Sequence, residues 1–176
     1  MTHSIRPATR QDAPALATVQ MASWRAAFRG VMTDEYLDGL DHEALTKAWE
    51  GLLADAGGPR AGTLAVERAD GRGLVGYSRF HPTDDEDDDP TRVGMIGSLY
   101  TVPDVWSTGV GKALITAVLD AVASAGYAEA SLWVLEGNTR ARSFYERDGW
   151  RHDGAVVMDR TDRVPITKLR YRKALG

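Results

Sequence analysis

The chain has 176 residues, 43% of them apolar, a formal net charge of −4 and no cysteine. That length suits one domain over residues 1–176, and no run approaches the roughly 18–20 apolar residues of a membrane span. The missing cysteines exclude disulfides, zinc–thiolate sites and thiol nucleophiles. No basic stripe of the nucleic-acid-binding kind is present, and Met1 to Pro7 lacks the apolar core of a secretory signal, so a cytoplasmic protein is expected.

In chain order, Ser4 to Ala8 reads as a short strand stopped at Pro7, which cannot donate to a ladder. Asp12 is placed to cap a helix in which Ala13, Leu16, Ala17, Gln20, Trp24, Ala27 and Phe28 recur at helical spacing. A second helix carries Leu45, Ala48, Trp49, Leu52 and Leu53 behind Asp41 and ends at Gly57-Gly58-Pro59. The period then changes to that of strands, 63–67 and 74–80, joined around Asp70-Gly71. A third strand runs from near Val93 to Val102, followed by a helix from Gly109 to Ala125 that Gly126 stops. The segment 131–135 is a further strand, Thr139 to Asp148 a helix closed by Gly149, and two strands finish the chain, the last over 166–172. The order β-α-α-β-β-β-α-β-α-β-β defines an α/β domain whose central strand–helix–strand unit can be parallel.

Pro103 to Lys112 joins the third strand to its helix and holds two close glycines, Gly109 and Gly111. The first N–H groups of a helix lack internal partners, and glycine lets an anion approach them. Lys112 adds a positive charge nearby. A P-loop is excluded, because Trp106 stands where its first glycine belongs and Ala113 follows the lysine. A dinucleotide fingerprint is excluded by Leu114 at its third small position. Spacing alone leaves an anion site or a tight turn with close helix packing.

Leu99-Tyr100-Thr101-Val102-Pro103-Asp104, with Trp106-Ser107-Thr108-Gly109-Val110-Gly111, resembles motif A of the GNAT N-acetyltransferase superfamily, which reads Gln/Arg-x-x-Gly-x-Gly/Ala after a strand and a proline. Asn138 to Tyr145, with the later Gly149-Trp150, is similar to that family's Asn-x-x-Ala-x-x-Phe-Tyr pattern. The resemblance covers essentially the whole chain. It implies a single GNAT-like domain, a central mixed, mostly antiparallel sheet flanked by about four helices. It also implies acetyl-CoA as co-substrate, with no metal, and transfer to a small-molecule or peptide amine by direct attack in a ternary complex. No nucleic-acid or membrane partner is implied, and a homodimer is kept as a candidate assembly. Carried over residue by residue, Leu99, Tyr100 and Thr101 pair with the pantetheine arm. Ser107, Thr108, Gly109, Val110, Gly111 and Lys112 surround the pyrophosphate, and Asn138 contacts pantetheine or caps its helix. Tyr145 protonates the departing thiolate, a role suited to a phenol with an ordinary pKa of about 10.

Two positions depart from the pattern. Trp106 stands where Gln or Arg is commonest, and Met95 stands eleven residues before it, where many relatives carry a glutamate base. Glu136, His81 and Glu35 are the remaining base candidates, with Glu136 put first. A non-catalytic acyl-CoA sensor is the alternative function that Met95 favours. Trp24, Phe28, Tyr36 and Trp49 are expected mainly in the core, with one or two bordering an acceptor pocket. Six of the 25 acidic residues fall together at 84–89. They are expected to form a solvated loop, the other reading being attraction of a cationic acceptor.

Overall fold

The structure, a computed structural model, is described for residues 3–54, 58–68, 70–159 and 165–176, so Gly57 of the expected helix stop lies outside it. Seven strands form one sheet: β1 (Ser4–Pro7), β2 (Gly62–Glu67), β3 (Leu74–Pro82), β4 (Val93–Thr101), β5 (Glu129–Leu135), β6 (Arg151–Asp159) and β7 (Ile166–Ala174), in the spatial order β1-β2-β3-β4-β5-β7-β6. Only β4 and β5 are parallel; every other pair is antiparallel. The parallel pair is the one joined through a helix, as the sequence order implies, because a crossover must span a strand's length.

The described residues hold five α-helices, one more than expected: α1 (Ala13–Ala27), α2 (Asp34–Asp38), α3 (His42–Ala54), α4 (Val110–Ser124) and α5 (Thr139–Arg147). The addition is α2, whose five residues are too short to display a period. Thr33 caps it by accepting from the Tyr36 N–H, and Arg29 joins its two ends by ion pairs to Asp34 and Asp38. On one face of the sheet, α4 sets Ile115, Val118 and Val122 against Ile96, Leu132, Leu169 and Tyr171. On the other, α1 and α3 enclose Leu16, Val19, Trp49 and Tyr77. Trp49 is thus a core residue, edge-on to Tyr77 with its indole N–H donated to Gln20.

The cap at Asp41 forms as expected, with the Ala44 N–H donated to its carboxylate. Asp12 does not cap α1. Its own backbone is already helical, so its carboxylate turns back to accept from the Thr9 N–H at 2.7 Å and from both arms of the Arg6 guanidinium at 2.8 and 2.9 Å. The Arg6 hydrogen bonds outweigh burial and hold the Asp12 carboxyl at about 2, below its ordinary 3.8.

The acidic run is a loop exposed at Asp84, Glu86, Asp87 and Asp89, as expected, but three of its acids are tied to the sheet. It folds over β5 and β7, where Arg170 is only 5% exposed and must be paired to remain charged. Asp87 meets both guanidinium nitrogens of Arg170 at 2.6 Å, Asp85 meets one at 3.1 Å and also accepts from the Trp133 indole, and Asp88 takes Arg172 at 2.6 Å. Asp153 on β6 bridges the same two arginines. Much of the run's negative charge is therefore neutralised within the fold. Asp85, Asp87 and Asp88 also cluster as closely as metal ligands do, but each carboxylate already pairs with one of two guanidinium groups.

Asp12→Asn is expected to lower the unfolding free energy by about 2 kcal/mol at neutral pH. A depressed carboxyl stabilises the fold above its unfolded value and ceases to do so as pH falls through its folded one. The deficit should therefore close between about pH 4 and pH 2, which urea titrations of both proteins across that range will measure. Arg170→Ala removes the cation that Asp85, Asp87 and Asp153 share, together with its buried side chain, and should cost about 3–5 kcal/mol. Asp87→Ala, whose side chain is exposed, should cost far less in the same denaturation series.

Candidate active site

The site begins with a failure of pairing. β4 and β5 share only three register positions, Val93↔Glu129, Gly94↔Ala130 and Met95↔Ser131. Beyond them β4 continues to Thr101 against β3 alone, and β5 continues to Leu135 against β7 alone. The cause lies on β4. Its ladder with β3 slips between Arg79↔Ser98 and Phe80↔Ile96, so Gly97 is an extra, bulged residue. A bulge bends its strand and increases the local twist, which carries the second half of β4 away from β5. Leu99, Tyr100 and Thr101 lie on that second half. Thr101 differs from the other two in that its carbonyl already accepts from the Trp106 indole at 2.8 Å.

β4 leads through a 3₁₀ turn at Pro103–Val105 into the glycine-containing loop. Ser107 is left-handed at φ 63°, as is Gly109 at 94°. For a serine that conformation is uncommon and strained. Val110 is buried with Val66, Val75 and Leu114, which anchors the helix start, while Ser107, Thr108 and Gly109 remain exposed. The first backbone bond of α4 runs from the Ala113 N–H to the Gly109 carbonyl. The amides of Val110, Gly111 and Lys112 therefore lack intrahelical acceptors, and a Cβ built at Gly109 meets nothing within 4 Å. The loop has the backbone of an anion site.

Lys112 is placed differently from expectation. Its ammonium pairs with Asp148, whose side chain is 3% exposed and which also binds Lys173. Burial opposes ionisation of Asp148, but the two lysines outweigh it and hold the carboxyl below its ordinary range. What Lys112 brings to the loop is its backbone N–H. The cation nearest the loop's first residue is one that sequence reasoning missed: the Arg140 guanidinium on α5 lies 3.6 Å from the Trp106 ring centroid. Burial lowers the Arg140 pKa, and no carboxylate among the described residues pairs with it. Its signal was the tryptophan at 106, which offers a face for stacking where the family has a polar side chain.

Asn138 caps α5 by accepting from the Ala141 N–H at 3.1 Å. Tyr145 sits one helix face inward, edge-on to Phe144 and Trp150 with centroids 5.2 and 5.8 Å away. Burial pushes its phenol well above the ordinary value, and the nearby Tyr100 adds to the shift. Tyr100 is itself pushed up to about 12 by burial, with Trp24 acting in the opposite sense. Helix α5 and strand β4 thus bring two protonated phenols into electrostatic reach of each other. The Tyr100 ring also packs with Trp24, Phe28 and Tyr77 at 5.7–6.2 Å, forming an aromatic wall on the α1 side. Sequence reasoning used only the backbone of Tyr100.

Neither expected carboxylate base is built into this arrangement. Glu136 lies exposed just past β5, its backbone holding Thr167 and Arg142, and Glu35 is exposed on α2. His81 is half-buried on β3, opposite Met95.

The parted strands, the helix start with its unpaired amides and the buried phenol thus lie beside one another. The model of the acetyltransferase (GNAT) family matches residues 21–150, and the chain belongs to that family. Acetyl transfer is the activity that names the family. An uncharacterised N-acetyltransferase of Mycobacterium tuberculosis is 31% identical over 144 residues, 81% of this chain and 85% of that one. An N-acetyltransferase of Thermoplasma acidophilum, solved in complex with coenzyme A, superposes with a TM-score of 0.70 at 20% identity over 99% of both chains. A Salmonella typhimurium protein solved with acetyl-CoA superposes at 0.73 and 16% identity over 100% of this chain and 95% of its own. These two share the fold. Among the described residues no helix is long and apolar enough to cross a membrane.

Proposed function

We propose that the split between β4 and β5 receives the pantetheine arm of acetyl-CoA, and that the acetyl group passes directly to an amine of a small molecule or peptide. One juxtaposition carries the reading. Within a single strand–loop–helix, a β4 edge free of its parallel partner beyond Met95 runs into a helix start whose amides at 110–112 point away from the helix. In this reading the pantetheine amides pair with the backbone of Leu99, Tyr100 and Thr101. The amides from Ser107 to Lys112 hold the pyrophosphate, with Arg140 supplying the positive charge that Lys112 directs to Asp148. Asn138 keeps its cap and turns its amide N–H groups to the pantetheine.

The chemistry is a thioester aminolysis. The amine nitrogen attacks the carbonyl carbon, whose oxygen is polarised by backbone N–H groups near the end of β4. The carbon–sulfur bond breaks, and the sulfur leaves as a thiolate. The nitrogen gives up one proton toward solvent as the amide forms, and Tyr145, held protonated by burial, gives the thiolate its proton and recovers one from solvent.

Gly109→Val forces a β-branched residue into a left-handed conformation. It should weaken acetyl-CoA binding about 10-fold or more, a loss of roughly 1–2 kcal/mol. Unchanged affinity by calorimetry removes the pyrophosphate from this loop. Tyr145→Phe keeps the aromatic packing and deletes the proton, so turnover should fall about 100-fold with little change in acetyl-CoA affinity. The decisive experiment is steady-state release of free CoA across a panel of polyamines, aminoglycosides, alkylamines and peptide N-termini. Tight acetyl-CoA binding with no release on any of them would make the chain a sensor instead, the reading that Met95 favours.

A further inference from the structure

An amine that attacks a thioester must lose a proton, and Met95 leaves the usual carboxylate position on β4 without a base. The residue directly across the β3–β4 ladder from Met95 is His81. Opposed residues of an antiparallel pair share a face. The imidazole therefore lies on the side of the sheet that Met95 occupies, one strand over.

Its tautomer is fixed. Nδ1 lies 2.7 Å from the Pro82 carbonyl, which can only accept, so Nδ1 carries a hydrogen and, in the neutral ring, the lone pair is on Nε2. Nε2 rests over Gly97, where a Cβ would stand only 2.8 Å from it. Gly97 is the exposed bulge residue, two positions past the last β4–β5 pair, at the point where the strands part. On β5 the residue two positions past the same pair is Trp133, tied by its indole to Asp85. The basic nitrogen of His81 thus lies against the bulge at the mouth of the split, held by a hydrogen bond within its own strand end.

We propose that His81 Nε2 accepts the proton of the attacking amine, and that position 97 is glycine because the imidazole needs the space above it. The proposal rests on the acetyl-transfer reading above. As the new nitrogen–carbon bond forms, the amine proton passes to Nε2. As the carbon–sulfur bond breaks, Tyr145 protonates the sulfur, and the imidazolium returns its proton to solvent. The net reaction is amine plus acetyl-CoA to amide plus free thiol.

The test compares two nucleophiles in the unaltered protein and in His81→Gln. With the primary alkylamine that turns over best, kcat/KM should fall about 100-fold, while acetyl-CoA affinity stays within about threefold. With hydroxylamine, which is weakly basic and arrives unprotonated, the loss should be under about one tenth of that. Gly97→Ala, which leaves the histidine but displaces its ring, should reproduce the selective loss and serves if His81→Gln no longer binds acetyl-CoA. Alkylamine turnover within about threefold of the unaltered protein overturns the assignment, as does an equal loss with both nucleophiles. Acetyl-CoA binding without turnover of any nucleophile by the unaltered protein overturns the transfer reading itself, a result distinct from either.

Discussion

The extra residue at Gly97 is the constraint on which the rest of the molecule turns. A parallel pair with a full ladder presents no backbone to a ligand, since each N–H and C=O between the strands already has a partner. One inserted residue bends β4 out of that ladder after three positions, while β3 and β7 keep hold of the outer edges of β4 and β5. The opening is therefore flanked by a paired strand on each side. It also continues into the loop at 106–109 and the start of α4, where the amides at 110–112 lack intrahelical acceptors.

Losing ladder bonds at the centre of a sheet weakens the join between its halves, and the structure replaces them with side chains. From the β3–β4 connection, Asp85, Asp87 and Asp88 reach across to Arg170 and Arg172 on β7. Lys112 at the start of α4 is tied to Asp148 beyond α5, which Lys173 of β7 also holds. Trp106 of the loop stacks under Arg140 of α5. Each tie joins the β4 side of the split to the β5 side without crossing its interior. On the α4 face the apolar contacts of Ile96 with Leu132 and Val134 do the same work. A buried arginine surrounded by carboxylates contributes little net stability by itself. Its value here is positional, because it fixes where one half of the sheet sits against the other.

The architecture was legible in the sequence wherever a long period or a strong stop signal existed. The strands, the α1, α3, α4 and α5 helices, the Asp41 and Asn138 caps and the glycine stops at 126 and 149 follow from local rules that tertiary context did not override. Short-range competition hid the rest. Asp12 satisfies the rule for a cap, yet Arg6, six residues earlier, offers two charge-assisted bonds and wins it. Six clustered acids satisfy the rule for a solvated loop, yet the cations of Asp85, Asp87 and Asp88 lie more than eighty residues away on β7, a distance no window can see. Lys112 satisfies the rule for a phosphate ligand, yet its ammonium pairs with Asp148, a partner 36 residues on. The motif therefore located the strand, the loop and the helix start, whereas side-chain contacts depended on partners that only the fold brings together.

The two departures from the family pattern have a common physical form. At 106 a tryptophan replaces a polar side chain, and a guanidinium from another element comes to lie on its ring. At 95 a methionine replaces a carboxylate, and an imidazole from the neighbouring strand stands directly opposite it. In each case the altered residue is apolar and keeps the surface packed, while a titratable or charged group approaches from an adjacent element. The geometry of the sheet makes this exchange easy. Opposed residues on antiparallel strands lie about 4.5–5.5 Å apart at Cβ, so a long side chain on β3 reaches nearly the same volume as a side chain on β4. What the exchange requires is space, and along β4 that space exists at the bulge, where Gly97 has no side chain to refuse it.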